Sequence, residues 1–174
     1  MAMKKLLVVV DFQVDFVNGA LGFKGAEALE QPICSLIKKF EDSGDDVVFT
    51  LDTHPENYME TEEGKYLPVP HCIKGSSGYE LFGEVKNLAK GHKIFEKPTF
   101  PSLELGEWLK DKDYDEITVC GLDLSICVLS NAVIAKSALP NAHIKVNLEC
   151  SSGGDETANK VAIEQLKRIQ VEVY

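Results

Sequence analysis

Leu6-Leu7-Val8-Val9-Val10 constrains the fold of this chain more than any other stretch. A continuous aliphatic run that turns β-branched has no polar face, so it suits a strand covered on both sides, as in a parallel sheet layered between helices. The rest of the sequence supplies its partners. Val47 to Leu51, His92 to Phe95, Glu116 to Cys120, His143 to Leu148 and Val171 to Val173 read as further strands. Glu27 to Phe40 carries Leu29, Ile33, Leu36, Ile37 and Phe40 on one helical face, with Pro32 near its first turn. Tyr79 to Ala89, Leu103 to Leu109, Cys127 to Leu139 and Glu156 to Ile169 also read as helices. Strands alternating with helices imply right-handed crossovers. The predicted architecture is therefore one α/β domain over residues 1–174. It is a three-layer, Rossmann-like fold with a six-stranded, mostly parallel sheet and helices on both faces.

Charge and composition remove several classes of function. Lys+Arg 18 against Asp+Glu 28 gives a net charge of −10, which leaves no basic surface to neutralise nucleic-acid or anionic-membrane phosphates. No apolar run approaches the roughly 20 residues that cross a bilayer. Lys4 and Lys5 precede the first aliphatic run as in a signal peptide, but the run stops at Asp11 and no small-residue cleavage site follows, so it reads as a strand. The cysteines, Cys34, Cys72, Cys120, Cys127 and Cys150, number 5 and show no CxxC or zinc-finger spacing. Reduced thiols in a cytoplasmic protein are the expectation.

Candidate chemistry lies where the strands end. Asp11, Asp52 and Lys97 each follow a strand, and Cys127 follows a fourth after the turn that starts at Gly121. Taken singly they have ordinary readings: a turn former, a cap, a solvated amine, a packed thiol. The fold brings them to one rim, the edge where α/β proteins keep their sites. A thiol needs a base to remove its proton and a cation to hold the thiolate, roles that suit Asp11 and Lys97. Asp11 can later return the proton to a leaving amine. Cys127 opens an Ala- and Leu-rich helical pattern, and a helix N-terminus there would favour negative charge on sulfur and direct N–H groups at an oxyanion.

A second constellation lies beside the first. Asp52-Thr53-His54 puts two ligand types on one side of an extended segment, and His71 sits on the long, turn-rich connection from Pro55 to Gly78. One carboxylate and two imidazoles suit Zn, Mn or Fe with positions left open. Glu60, Glu62 and Glu63 lie on the same connection; they read as solvated, with an added oxygen ligand as the alternative. Cys72 reads as packing. Asp11, Asp52 and Lys97-Pro98 also occur in phosphorylatable receiver modules, but there the acceptor ends the third strand and the lysine the fifth. Here they end the second and third.

Five stretches taken together resemble the isochorismatase-like cysteine hydrolases, nearest the nicotinamidase/pyrazinamidase branch. They are Val-Val-Asp11-Phe-Gln13-Val-Asp15-Phe16, Asp52-Thr-His54, Pro70-His71-Cys72-Ile-Lys-Gly75, Phe95-Glu-Lys97-Pro98 and Gly121-Leu-Asp-Leu-Ser-Ile-Cys127-Val128. The resemblance implies Asp11, Lys97 and Cys127 as a catalytic triad, and Asp52, His54 and His71 as ligands of a divalent metal, zinc first. It implies a cis peptide between Leu122 and Asp123, and an oxyanion hole from the N–H groups of Asp123 and Cys127. Phe16 would line the substrate pocket, with Tyr66 or Leu67 from the long connection, and Gln13 would help hold Asp11. The implied activity is hydrolysis of a small aromatic amide to a carboxylic acid and ammonia through a thioester on Cys127, by a homo-oligomer (dimer or tetramer). Another small amide, or a catalytically silent relative, is the alternative. It is motivated by Asp123-Leu124-Ser125: Asp123 takes the cis position, where the family usually carries a small or apolar residue, and Leu124-Ser125 stand where it usually carries Thr-Asp. An Asp123 carboxylate pointing inward would oppose both thiolate and oxyanion.

Overall fold

The strands are β1 (Lys5–Val10), β2 (Asp46–Asp52), β3 (Lys93–Lys97), β4 (Glu116–Gly121), β5 (His143–Ser151) and β6 (Glu172–Val173). The helices are α1 (Val14–Val17), α2 (Glu30–Asp42), α3 (Glu62–Tyr66), α4 (Gly83–Leu88), α5 (Leu103–Lys110), α6 (Leu129–Ala138) and α7 (Glu156–Arg168). The structure, a computed structural model, describes residues 3–174. Its strands form one sheet of order β3-β2-β1-β4-β5-β6, and every pairing is parallel.

β1 lies near the middle of the sheet, where a run without polar side chains can be covered twice. Leu7 and Val9 belong to the core that includes Ile33, Ile37 and Phe40 of α2. Leu6, Val8 and Val10 belong to the opposite core, with Leu105 and Leu109 of α5, Ala132 and Ala135 of α6 and Leu166 of α7. The strand's alternation thus assigns its side chains to two layers. Among the described residues no helix is long and apolar enough to cross a membrane.

Some boundaries differ from those predicted. The helix expected over Tyr79 to Ala89 shrinks to α4, because Gly83 has φ 56° and the residues before it are extended, with Leu81 bridging to Gln13. The segment after Asp11, expected as loop, makes one helical turn, α1. The connection from Pro55 to Gly78 is ordered by α3 and by short 3-10 turns at Tyr58–Glu60 and Ser77–Tyr79. The helix expected to open at Cys127 starts earlier, at Leu124, as a widened turn that runs into α6.

Gly121 closes β4 with φ 119°, and a side chain there would run into the carbonyl oxygen of Val10. The absence of a Cβ lets the chain after β4 lie against the end of β1, where Leu122 N–H donates to Val10 O at 2.9 Å. Gly121→Ala is expected to cost roughly 2–4 kcal/mol from strain and collision together. A denaturant midpoint within error of the wild type at constant m-value would refute that reading of the contact.

Candidate active site

The strand order reverses between β1 and β4, and the crevice beyond the carboxyl ends of those two strands is where open α/β sheets hold their ligands. Asp11 follows β1 and the turn carrying Cys127 follows β4. Asp11 has φ 46°, an uncommon left-handed conformation for a non-glycine residue. Thr50 Oγ1 of β2 donates to Asp11 Oδ1 at 2.7 Å. Lys97, the last residue of β3, places its ammonium 2.6 Å from Asp11 Oδ2, 3.6 Å from Cys127 Sγ and 3.5 Å from Asp52 Oδ1, and donates to the Thr99 carbonyl at 3.0 Å. Asp11 is 0%, Lys97 1% and Cys127 5% exposed, so these groups meet with bulk water excluded.

Burial sets their proton affinities. It pushes the Cys127 thiol well above its ordinary value; the Asp11 carboxylate adds to the rise and Lys97 opposes it. Desolvation thus works against the thiolate that the helix end alone would favour. Burial also raises Asp11, against the pull of Lys97 and the Thr50 hydrogen bond. Burial would lower Lys97, but Asp11, Cys127 and Asp52 more than reverse this, and it remains an ammonium.

The turn before Cys127 is capped by Asp123. Its Oδ1 accepts from the N–H and the hydroxyl of Ser125, each at 2.8 Å. The carboxylate also packs over Gly153, where any side chain would collide with it. The Val128 N–H reaches back to the Asp123 carbonyl at 3.0 Å, one residue further than in an α-helix. The Leu122–Asp123 peptide is cis. The side chain concerned thus packs on Gly153 and on its own helix start. The signal for this was present in the sequence: Asp-x-Ser ahead of an apolar run is an N-cap pattern.

The second constellation is closer-knit than expected. Ligand atoms of Asp52, His54, Glu63 and His71 all lie within 4.8 Å of one another. His54 Nε2 is 2.9 Å and His71 Nε2 3.3 Å from Asp52 Oδ2, while Glu63 Oε1 is 3.7 Å from His54 Nε2 and 3.5 Å from His71 Nε2. Glu63 is a correction to the reading of a solvated side chain. Its position on α3, capped by Thr61, turns it inward at 15% exposure, whereas Glu62 is 75% exposed and Glu60 is also exposed. Its Oε2 is buried and without a hydrogen-bond partner. His71 Nδ1–H donates to the Val69 carbonyl at 2.8 Å, which turns Nε2 toward the group. Two carboxylates, two imidazoles and an unsatisfied oxygen fit a divalent cation. Burial would raise Asp52, but hydrogen bonds to the two imidazoles and the Lys97 charge hold it well below the carboxylate range.

The pocket residues are placed unevenly. The Phe16 ring lies 5.5 Å from the His71 ring, beside the Asp52 cluster. Tyr66 is 84% exposed and stands in solvent, and Leu67 is 37% exposed. The aromatic ring that does pack here is Tyr58, fully buried, 4.9 Å from His54 and 5.0 Å from His71, with its hydroxyl on the Leu67 carbonyl. Nothing in its sequence context distinguished it from Tyr66. Gln13 holds Asp11 through main chain alone, its N–H donating to the Asp11 carbonyl at 2.8 Å, while its side chain is engaged elsewhere. Its amide donates to the carbonyls of Asp52 and Tyr79, each at 2.8 Å, and accepts from Asp52 N–H at 2.9 Å, so it holds the end of β2.

A family model, the isochorismatase domain, matches residues 5–174. The chain belongs to the isochorismatase domain family. It is 34% identical over 146 residues to the isochorismatase family protein PncA of Bacillus subtilis, covering 76% of this chain and 79% of that one. The crystal structure of nicotinamidase PncA from Bacillus subtilis superposes with a TM-score of 0.85 at 30% identity, over 98% of this chain and 99% of that one. The pyrazinamidase of Pyrococcus horikoshii in complex with zinc does so with a TM-score of 0.86 at 25% identity, over 98% of both chains. The all-parallel sheet with helices on both faces is this family's fold, and the likeness to a zinc complex agrees with the donor set around Asp52 in supporting a divalent metal.

Two expectations follow for this isochorismatase domain. Glu63→Ala should lower divalent-metal affinity by at least about 10-fold, read by metal analysis after dialysis against a weak chelator; unaltered retention would remove Glu63 from the ligand set. Asp123→Ala should lower stability by about 1 kcal/mol through loss of the cap, and an unchanged unfolding midpoint would contradict the capping role.

Proposed function

We propose that this protein is a cysteine-dependent amidohydrolase of the nicotinamidase type, converting a small aromatic amide, nicotinamide first, to its carboxylic acid and ammonia. The observation that carries the reading is the closed contact of a buried thiol, a buried carboxylate and a buried ammonium next to four metal-type donors. Relatives named for nicotinamidase and pyrazinamidase activity support the choice of substrate.

In the proposed reaction Asp11 takes the Cys127 proton as sulfur attacks the amide carbonyl, and the Lys97 ammonium stabilises the charge on sulfur. The backbone N–H groups of Asp123 and Cys127 receive the developing oxyanion. The tetrahedral adduct collapses, the C–N bond breaks, and ammonia leaves with the proton that Asp11 holds. Asp11 then deprotonates a water that attacks the thioester, and the acid departs as the Cys127 thiol reforms. A carboxylate whose proton affinity is raised by burial is better matched to both transfers than one at its ordinary value. Phe16 would face the substrate ring. Asp52, His54, Glu63 and His71 would hold the ion, which we take to be zinc, with manganese or iron as alternatives. Bound there, it supplies a Lewis acid that anchors a lone pair of the substrate, such as a pyridine nitrogen.

An ammonia-release screen over small amides, with metal analysis of the same sample, tests the function. Turnover of nicotinamide is the expected result, and no release from any aromatic amide by metal-loaded protein would overturn it. Cys127→Ala should abolish turnover while fold and metal content persist; appreciable turnover by that variant would exclude the thioester route. Asp11 must be ionised to act. Since burial raises it from 3.8, activity should be lost as pH falls through a value above that figure, giving an acid limb of kcat/KM higher than an exposed aspartate would produce.

A further inference from the structure

Asn131 lies on the first turn of α6, four residues beyond Cys127, and is wholly buried. Its Nδ2 donates to the Cys127 carbonyl at 2.8 Å and to the Phe100 carbonyl at 3.1 Å, and its Oδ1 accepts from the Ser102 N–H at 2.9 Å. Helix propensity does not explain it, since asparagine is a poor interior helix residue and its buried neighbours on α6, Ala132 and Ala135, are alanines. The widened turn over Leu124–Val128 gives a local reason. Where its longer hydrogen bonds give way to the ordinary helical ladder, carbonyls lie off-line and accept from side chains. Ser130 Oγ serves the Ile126 carbonyl at 2.6 Å, as Asn131 serves Cys127.

Only Asn131 also reaches outside the helix. The segment it grips, Phe100 to Ser102, follows Thr99, whose carbonyl receives a hydrogen bond from the Lys97 ammonium at 3.0 Å. One carboxamide therefore joins the backbone that carries the sulfur to the backbone that holds the cation, across a sulfur-to-nitrogen distance of 3.6 Å. We propose that Asn131 is a positioning residue that holds Cys127 against Lys97 and thereby sets the reactivity of the nucleophile. The inference rests on Cys127 being that nucleophile. The charged groups facing the sulfur are Asp11, Lys97 and Asp52, from the ends of β1, β3 and β2, and the Asp123 carboxylate on its own turn is directed elsewhere.

The test is the pH dependence of Cys127 alkylation by iodoacetamide, followed at that residue by peptide mass spectrometry in metal-loaded protein, with amide turnover measured alongside. Asn131→Ala frees the segment that steadies Lys97, and its alkylation midpoint should rise by at least about 0.5 pH unit. Its kcat per alkylatable Cys127 should fall at least about 10-fold with KM little changed, as misplacement of a reacting group predicts. Asn131→Thr can restore the bond to the Cys127 carbonyl but not the reach to Phe100 and Ser102. It should recover thermal stability while keeping the raised midpoint, and it carries the test if the alanine variant fails to fold. A midpoint that stays put or falls, or one returned to the wild-type value by threonine, overturns the proposal. A wild type that releases no ammonia, with midpoints moving as stated, would instead defeat the amide reading and leave the role of Asn131 standing.

Discussion

A lysine ammonium at 1% exposure can persist in a folded protein only if its surroundings replace the water it has lost, a cost on the order of several kcal/mol for each buried ion. Around Lys97 the replacement comes from Asp11, Asp52, the Thr99 carbonyl and the Cys127 sulfur. Each is delivered by a different part of the fold. Asp11 requires a left-handed residue after β1, Asp52 the end of β2, and Cys127 the crossing allowed by Gly121. The ion cluster is thus a geometric constraint on three neighbouring strands and the turn after a fourth. The two cores on either side of the sheet keep those strand ends in register.

Asp52 makes the two constellations one unit. One of its oxygens faces Lys97 and the other faces His54 and His71. A cation at the imidazoles and the ammonium of Lys97 would share the same carboxylate, so charge at either place alters the field at the other. Two buried carboxamides frame this unit from opposite sides. Gln13 fastens the peptide of Asp52 to Tyr79, and Asn131 fastens that of Cys127 to the segment beyond Lys97. Both spend their hydrogen bonds on backbone groups, which fixes main chain and leaves the reacting side chains to one another.

Burial gives the site its acid–base character. In water a thiol beside a lysine would ionise more readily, whereas here the cost of desolvating sulfur outweighs the pull of Lys97 and raises the proton affinity. The same burial raises Asp11 against the pull of Lys97, which makes the carboxylate a stronger base than an exposed one. The Asp123-Leu124-Ser125 sequence does not disturb this balance, because the carboxylate is engaged in capping the turn.

The sequence by itself determined the layers, the sheet and the residues at its rim. A run such as Leu6 to Val10 has only one comfortable environment, and polar groups ending successive strands must emerge at a common edge. Asp11, Asp52, Lys97 and Cys127 were legible for that reason, and His54 and His71 from the ligand types they add beside Asp52 and on the long connection. Tertiary structure decided what pattern alone does not encode: directions of side chains on irregular backbone. Glu63 turns inward while Glu62 turns outward, and Tyr58 packs on the imidazoles while Tyr66 faces water, because α3 and the 3-10 turn before it set those orientations. The Gln13 carboxamide serves Asp52, and Asp123 caps a helix start three residues earlier than the apolar pattern indicated. Helical and strand periodicities report on faces buried by regular elements. A side chain on a short turn answers to the one hydrogen bond within its reach, and that partner comes from distant chain.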